Sequence, residues 1–442
     1  MTLCPPTTSR PARQKGRPPV FVSFFPQPKL FFISAIVWSA ILVGLWFIGL
    51  EDLGAWFGMG PADPNAPSII GPQVFVSPPF LWFYLVFFGA VVIFYFFWRW
   101  YSPHPWQAWS ILGSGLILFG TNFSVQVSVA LNNWRGEFYN MVQKALTTPG
   151  SVEQISLYLG IMKFLSLALV GITVAVLNLF FMKHYVFRWR TAMNDYFLAY
   201  WPRLRHIEGA SQRVQEDTMR FSRTMEDLGV NLIDSVMTLI AFLPLLASLS
   251  SHVVAVPLVG SIPYPLVVIA IAWSLFGTVL LAVVGIKLPG LEFRNQRVEA
   301  AFRKELVYGE DNENRARPET LRELFANVRK NYFTLYWNYV YFDVVRYLYL
   351  QTNAIFATLV LVPTIAVGKI TFGLYQQIVS AFSQVSSSFQ YLVTSWPTIV
   401  ELISIYKRLR AFEATLEGAP LPDIDQRFIN REETDAAQPE TT

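Results

Sequence analysis

Between Ile262 and Asp311 the chain reads IPYPLVVIAIAWSLFGTVLLAVVGIKLPGLEFRNQRVEAAFRKELVYGED. From Ile262 to Ile286 it carries no charge, which is enough for a helix of about 20 residues across a bilayer core. Past Lys287 charges appear and recur at helical spacing, at Glu292, Glu299, Arg303 and Glu310, without a turn cluster. The expected unit is therefore a membrane span that runs on as a polar helix beyond the bilayer. The run Gly309-Glu310-Asp311-Asn312 and then Pro318 mark where this projection turns back.

Outward from that stretch the same pattern governs the chain. Of 442 residues, 53% are hydrophobic and 14% charged, and the apolar excess is gathered in long blocks rather than dispersed, which excludes an ordinary soluble protein. Leu30 to Leu50, Pro64 to Trp98, Trp100 to Trp134, Phe164 to Met182, Tyr347 to Gly368 and Ile370 to Val400 contain no Asp, Glu, Lys or Arg. Ser235 to Ile286 is free of charge apart from His252 and must fold back once, at the prolines Pro257, Pro263 and Pro265. The expected fold class is an all-α polytopic membrane protein with eight transmembrane helices, roughly at 30–50, 80–98, 108–131, 158–182, 230–250, 264–286, 340–366 and 374–402. No signal-peptide cleavage pattern follows the first of them.

All but five of the 34 basic residues fall in alternate loops: the N-terminus, Arg99, the segments 183–229 and 287–337, and the C-terminal tail. The opposite loops hold only Arg135, Lys144 and Lys369, while Lys163 and Arg346 fall within spans. Lys and Arg near span ends are retained in the cytoplasm, so both termini and both polar segments are expected there. A lone cysteine, Cys4, excludes internal disulfides, and His104, His184, His206 and His252 form no pair at helical ligand spacing. Neither a metal nor another cofactor is expected, and nothing points to nucleic acid.

Both polar segments read as helical projections, the layout of the membrane half of an ABC exporter. No ATPase is expected within the chain, because about 40 residues follow Glu401 and no G-x-x-x-x-G-K-[ST] loop occurs. Gly368-Lys369 is followed by Ile370, with Pro363 where the first glycine belongs. The energy then comes from a separate ATPase subunit or from an ion gradient.

Several longer strings are more specific: Ser23-Phe24-Phe25-Pro26, Tyr101-Ser102-Pro103-His104 with Trp106, His184 to Asn194 (HYVFRWRTAMN), Arg205 to Ala210, Gln212 to Phe221 (QRVQEDTMRF) and Val284 to Phe293 (VGIKLPGLEF), leading to Tyr308-Gly309-Glu310-Asp311. From about Phe21 to Phe412 the chain resembles the SbmA/BacA family of bacterial inner-membrane peptide transporters, and Phe25-Pro26-Gln27-Pro28-Lys29 is similar to its BacA branch. The resemblance implies a homodimer in the lipid bilayer, folded like the membrane region of an ABC exporter, that takes up peptides and related antimicrobials with protons. Symbiotic and intracellular bacteria of this family need such uptake to survive host defence peptides. The basic, proline-rich residues 1–20 depart from the family and read as a disordered extension. A chain starting at Val20 would match the family's usual opening. The transporter domain is expected at 21–412 and a cytoplasmic tail at 413–442.

Proton coupling calls for carboxylates whose pKa can be raised by partial burial. Glu292 and Glu310 are 18 residues apart and align after five turns, with Glu299 within about 20 degrees, a ladder about 27 Å long. Arg303 lies off the same line by about 20 degrees and can pair with Glu299 at i+4, which favours a solvated surface face instead. The resemblance implies the ladder, and adds Asp311, Glu216, Glu226 and Glu401 as proton-coupling positions with Arg213 as an ion-pair partner of Glu216. Asp343 and Arg346 read as a neutralising i+3 pair, and Trp98, Trp100, Tyr101, Trp106 and Trp109 mostly as an interfacial belt. Gln126, Gln384 and Gln390, with neighbouring amides and hydroxyls, line a water-filled cavity of low selectivity or serve helix packing. Two functions compete: a proton-driven peptide importer, and the membrane subunit of an ATP-driven transporter for acyl or cobalamin-like cargo. A membrane enzyme has no nucleophile, His dyad or metal cluster to support it.

Overall fold

The computed structural model describes residues 19–61, 69–205, 210–257, 260, 262–311, 315–395, 398–399, 401–403, 405–406 and 409–410. The expected tail at 413–442, and all but the last two residues of the expected extension, lie outside them. Among the described residues there is no sheet, only an isolated bridge between Val256 and Gly260.

Nine long helices occur among the described residues: α1 (Pro28–Leu45, continued by Trp46–Leu50), α2 (Pro78–Tyr101), α3 (Ser114–Thr147, entered through Ala108–Gly113), α4 (Gln154–Ala199), α5 (Thr218–Leu249, entered through Arg213–Asp217), α6 (Pro265–Gly285), α7 (Leu288–Asp311), α8 (Pro318–Ala366) and α9 (Phe372–Thr394). Among the described residues seven stretches are long and apolar enough to cross a membrane, and they coincide with the first seven expected spans. At the eighth lies α9, whose Gln376, Gln377, Gln384 and Gln390 reduce its apolarity. Its apolar residues Ile378, Ala381, Phe382 and Val385 are buried against protein, so this helix needs no apolar circumference.

Length shows the projections directly. With 46 and 49 residues, α4 and α8 reach about 69 Å and about 74 Å, more than twice a hydrocarbon core of about 30 Å. The second projection is jointed: α6 ends at Gly285, a turn follows at Ile286 and Lys287, and α7 begins at Leu288. Pro289, without an N–H, fits the first turn of a helix.

Span three outruns its expected end at 131 and continues to Thr147. Its extra turns cap α9: Asn140 Oδ1 accepts the Gly373 N–H at 2.9 Å and Gln143 Oε1 accepts the Phe372 N–H at 2.8 Å. These satisfy donors that the first turn of a helix cannot pair internally. The two helices nearly touch there, because a Cβ on Gly373 would strike the Gly136 carbonyl oxygen.

Two large cores hold the described helices, with a smaller one around Phe75, Val127, Trp134 and Leu167. At the basic end, three of the strings quoted above come together: Phe24 stacks on Trp189 at 5.8 Å and meets Tyr185 edge-on, while the Val22 carbonyl bonds His104 Nε2 at 2.9 Å. Trp98 is 1% exposed within this core, which corrects its place in an interfacial belt, whereas Trp100 is 82% exposed and fits one. Burial rather than an interface explains Trp98, whose Nε1 donates to Ser34 Oγ at 3.2 Å. The other large core joins α5, α6, α8 and α9 through Phe242, Leu266, Leu361 and Ile378.

Candidate functional site

Along α4 and α5 the sequence places charges on facing turns just beyond the expected spans. Lys183 and Arg190 of α4 face Arg223, Glu226 and Asp227 of α5 across a cleft of about 580 Å³. Leu179, Val186 and Met219 give it apolar walls. Burial pushes the Glu226 carboxyl up, and the neighbouring Asp227 adds to this, while Lys183 and Arg223 oppose it. Such a group takes up a proton at higher pH than an ordinary glutamate does.

Two turns further into α5, Asn231, Asp234, Ser235 and Thr238 meet Gln384, Ser387, Ser388 and Tyr391 of α9 around a pocket of about 180 Å³. Every side chain in that lining is polar. Tyr391 fixes the two helices by donating its hydroxyl to the Leu228 carbonyl at 3.2 Å. Gln384 is the only one of the three expected cavity glutamines among the lining residues. Gln390 donates to Tyr349 Oη at 2.9 Å, a helix-packing role, and Gln126 is half-buried on α3.

The ladder lies on a single continuous helix, α7, packed beside α8. Glu292 Oε1 accepts the Tyr339 hydroxyl at 2.8 Å, one helical turn from the buried Asn331–Asn295 bond of 3.2 Å. Glu299 is half-buried and Glu310 exposed. The expected Glu299–Arg303 ion pair is not formed among the described residues, and Arg303 is exposed. Glu305, on the other flank, closes the hairpin: its Oε1 accepts the Ala316 N–H at 3.1 Å and its Oε2 lies 3.7 Å from Arg315. The Asp311 side chain lies outside the described residues.

In the first projection Glu216 pairs with Arg220 at 2.7 Å and accepts Gln212 Nε2 at 3.0 Å, partners that the i+3 reading with Arg213 does not include. Arg213 opens a π-helical turn, Arg213–Asp217, that widens the start of α5. The Asp343–Arg346 pair forms at 3.9 Å. Glu401 is exposed on the helical residues 401–403. No cluster of three or more His, Cys, Asp or Glu side chains suited to a metal occurs among the described residues.

Sequence reasoning passed over Asp234, because the charge-free run was counted from the residue after it. Its signal was present all the same, as a carboxylate inside the expected span 230–250, where an ionisable group is costly without a purpose.

Comparison with known proteins agrees with this architecture. The SbmA/BacA-like family matches over residues 103–417. An inner membrane ABC transporter ATP-binding protein, YddA, of Escherichia coli (strain K12) is 23% identical over 322 residues, 67% of this chain and 55% of that protein. ABC transporter D family member 2, chloroplastic, of Arabidopsis thaliana is 25% identical over 252 residues, 52% of this chain and 33% of that protein. The chain thus spans about half or less of the length of these relatives.

Proposed function

This chain belongs to the SbmA/BacA-like family of membrane transporters, and from that premise we propose that it imports peptides and peptide-like antimicrobials across the bacterial inner membrane, driven by the proton gradient. The observation that carries the reading is Glu226: a half-buried carboxylate, shifted toward protonation, in a cleft at the basic end of the spans. Glu292, Glu299 and Glu310 on the second projection extend the set of groups that could pass a proton, with Glu216, Asp311 and Glu401 as further members. Both termini lie in the cytoplasm on this reading, and two copies enclose the cargo path.

The relatives named as ABC transporters, one of them an ATP-binding protein, favour a second reading, a membrane subunit energised by ATP from a separate ATPase. Its cargo would be acyl or cobalamin-like. Uptake of a labelled peptide into sealed, nucleotide-free proteoliposomes separates the two. An imposed pH gradient, acidic on the side of peptide addition, is expected to drive accumulation that a protonophore abolishes. Accumulation only with ATP and an added ATPase would overturn the proposal.

A further inference from the structure

The pocket between α5 and α9 has a chemistry that proton coupling alone does not require. Asp234 forms no ion pair or hydrogen bond among the described residues, and no Lys or Arg lines the pocket. Around its carboxylate stand the amides of Asn231 and Gln384 and the hydroxyls of Ser387 and Tyr391. These provide several acceptors for an incoming donor. A volume of about 180 Å³ corresponds to about six waters, room for one side-chain head rather than a folded peptide. Asp227, Asn231, Asp234 and Thr238 follow at spacings of four, three and four on α5, so one polar stripe leads from the charged cleft into the pocket.

We propose that this pocket is a subsite for a cationic side chain of the cargo, an ammonium or guanidinium group held on the Asp234 carboxylate with Gln384 and the neighbouring hydroxyls as further acceptors. Asp234 is exposed to the pocket, and a lone carboxylate one turn inside a span gains from an opposite charge that reaches it there. A lysine or arginine side chain supplies that charge together with its hydrogen-bond donors, whereas a neutral side chain leaves the carboxylate unpaired. The subsite rests on the reading of this chain as a peptide transporter, and it selects among peptides rather than driving their movement.

The test is equilibrium binding to the full chain in nanodiscs without a pH gradient, using two octapeptides that differ by one Lys against Gln. Wild type is expected to bind the lysine peptide about tenfold more tightly, the size of a charge-assisted contact. That ratio should fall to near one in Asp234→Asn and in Asp234→Ser and persist in Asp234→Glu, and in Asp234→Lys a third octapeptide with Glu at that position should bind more tightly than the Gln peptide. An unchanged ratio in the neutral variants, or equal binding of both peptides by wild type, would overturn the subsite while leaving the transport reading intact. Binding of neither peptide by wild type would count against the peptide reading and the subsite together. If Asp234→Asn kept the binding ratio but lost uptake of both peptides equally, Asp234 would belong to the proton path and the proposal would fall.

Discussion

Glu226 concentrates the mechanism at the scale of one residue. Its carboxyl is raised above the ordinary 4.5 in the folded protein, so the folded state binds a proton more readily than the unfolded chain does. Above the folded value the ionised group costs the folded state free energy, and below 4.5 both states are protonated and the cost vanishes. Glu226→Gln removes that charge. We expect the variant to melt at a higher temperature than wild type near pH 7.5, with the difference shrinking as the pH falls toward 4.5, while proton-driven uptake declines. Melting curves in detergent at three pH values check the first claim, and a gain independent of pH would contradict it. Glu226 was legible in the sequence only through the family resemblance, five residues beyond the string Gln212 to Phe221. The cleft was not, because Lys183 and Arg190 reach it from a different helix, and helical spacing relates only residues of one helix.

At the scale of the element, α7 allows a comparison within one structure. Helical arithmetic aligned Glu292, Glu299 and Glu310 from sequence alone, and the continuity of α7 preserves that alignment. What the sequence could not provide was the partner helix. Only packing against α8 ties Glu292 to Tyr339 and leaves Glu299 half-buried, without an ion pair among the described residues. Glu305 on the opposite flank, a control by helical spacing alone, is not inert in the packed structure, since it closes the hairpin turn through Ala316 and Arg315. Exposed Glu323 on α8 is the better control. Glu→Gln at 292, 299 or 310 keeps the shape and removes only the titratable charge, so each is expected to lower peptide-linked proton entry at equal membrane abundance. Glu323→Gln should behave as wild type, because exposed charges contribute only about 0 to 1 kcal/mol. A pH-sensitive dye inside the vesicles reports the result, and equal proton entry in all four variants would mean that α7 is an ordinary charged surface helix. The same limit of one-dimensional reading applies to α9. Its amides and serines were visible, but whether they line space or pack helices depends on which neighbour each one meets: Gln384 meets the pocket and Gln390 meets Tyr349.

For the whole molecule, the pattern of apolar blocks and basic loops specifies helices and their alternation but not what surrounds them. Leu232, Val236 and Ile240 stay exposed on α5, next to the polar residues of the pocket with Asp234. A polar path beside such a surface cannot face lipid on all sides at acceptable cost, because unpaired polar groups in hydrocarbon are unfavourable by several kcal/mol. A second copy related by twofold symmetry would enclose it, as the commonest oligomers do. Native mass in nanodiscs is then expected at about twice the chain's 50.4 kDa. Mass alone does not show that two subunits work together, and a mixing experiment does. When wild type is reconstituted in equal amounts with a variant that has lost uptake, such as the triple Glu→Gln variant at 292, 299 and 310, independent monomers would retain about half the uptake per protein. A dimer that needs both proton paths intact retains about one quarter, because only that share of random pairs is wholly wild type. Uptake proportional to the wild-type fraction across several mixing ratios would assign a complete transport path to each chain and remove the need for a partner.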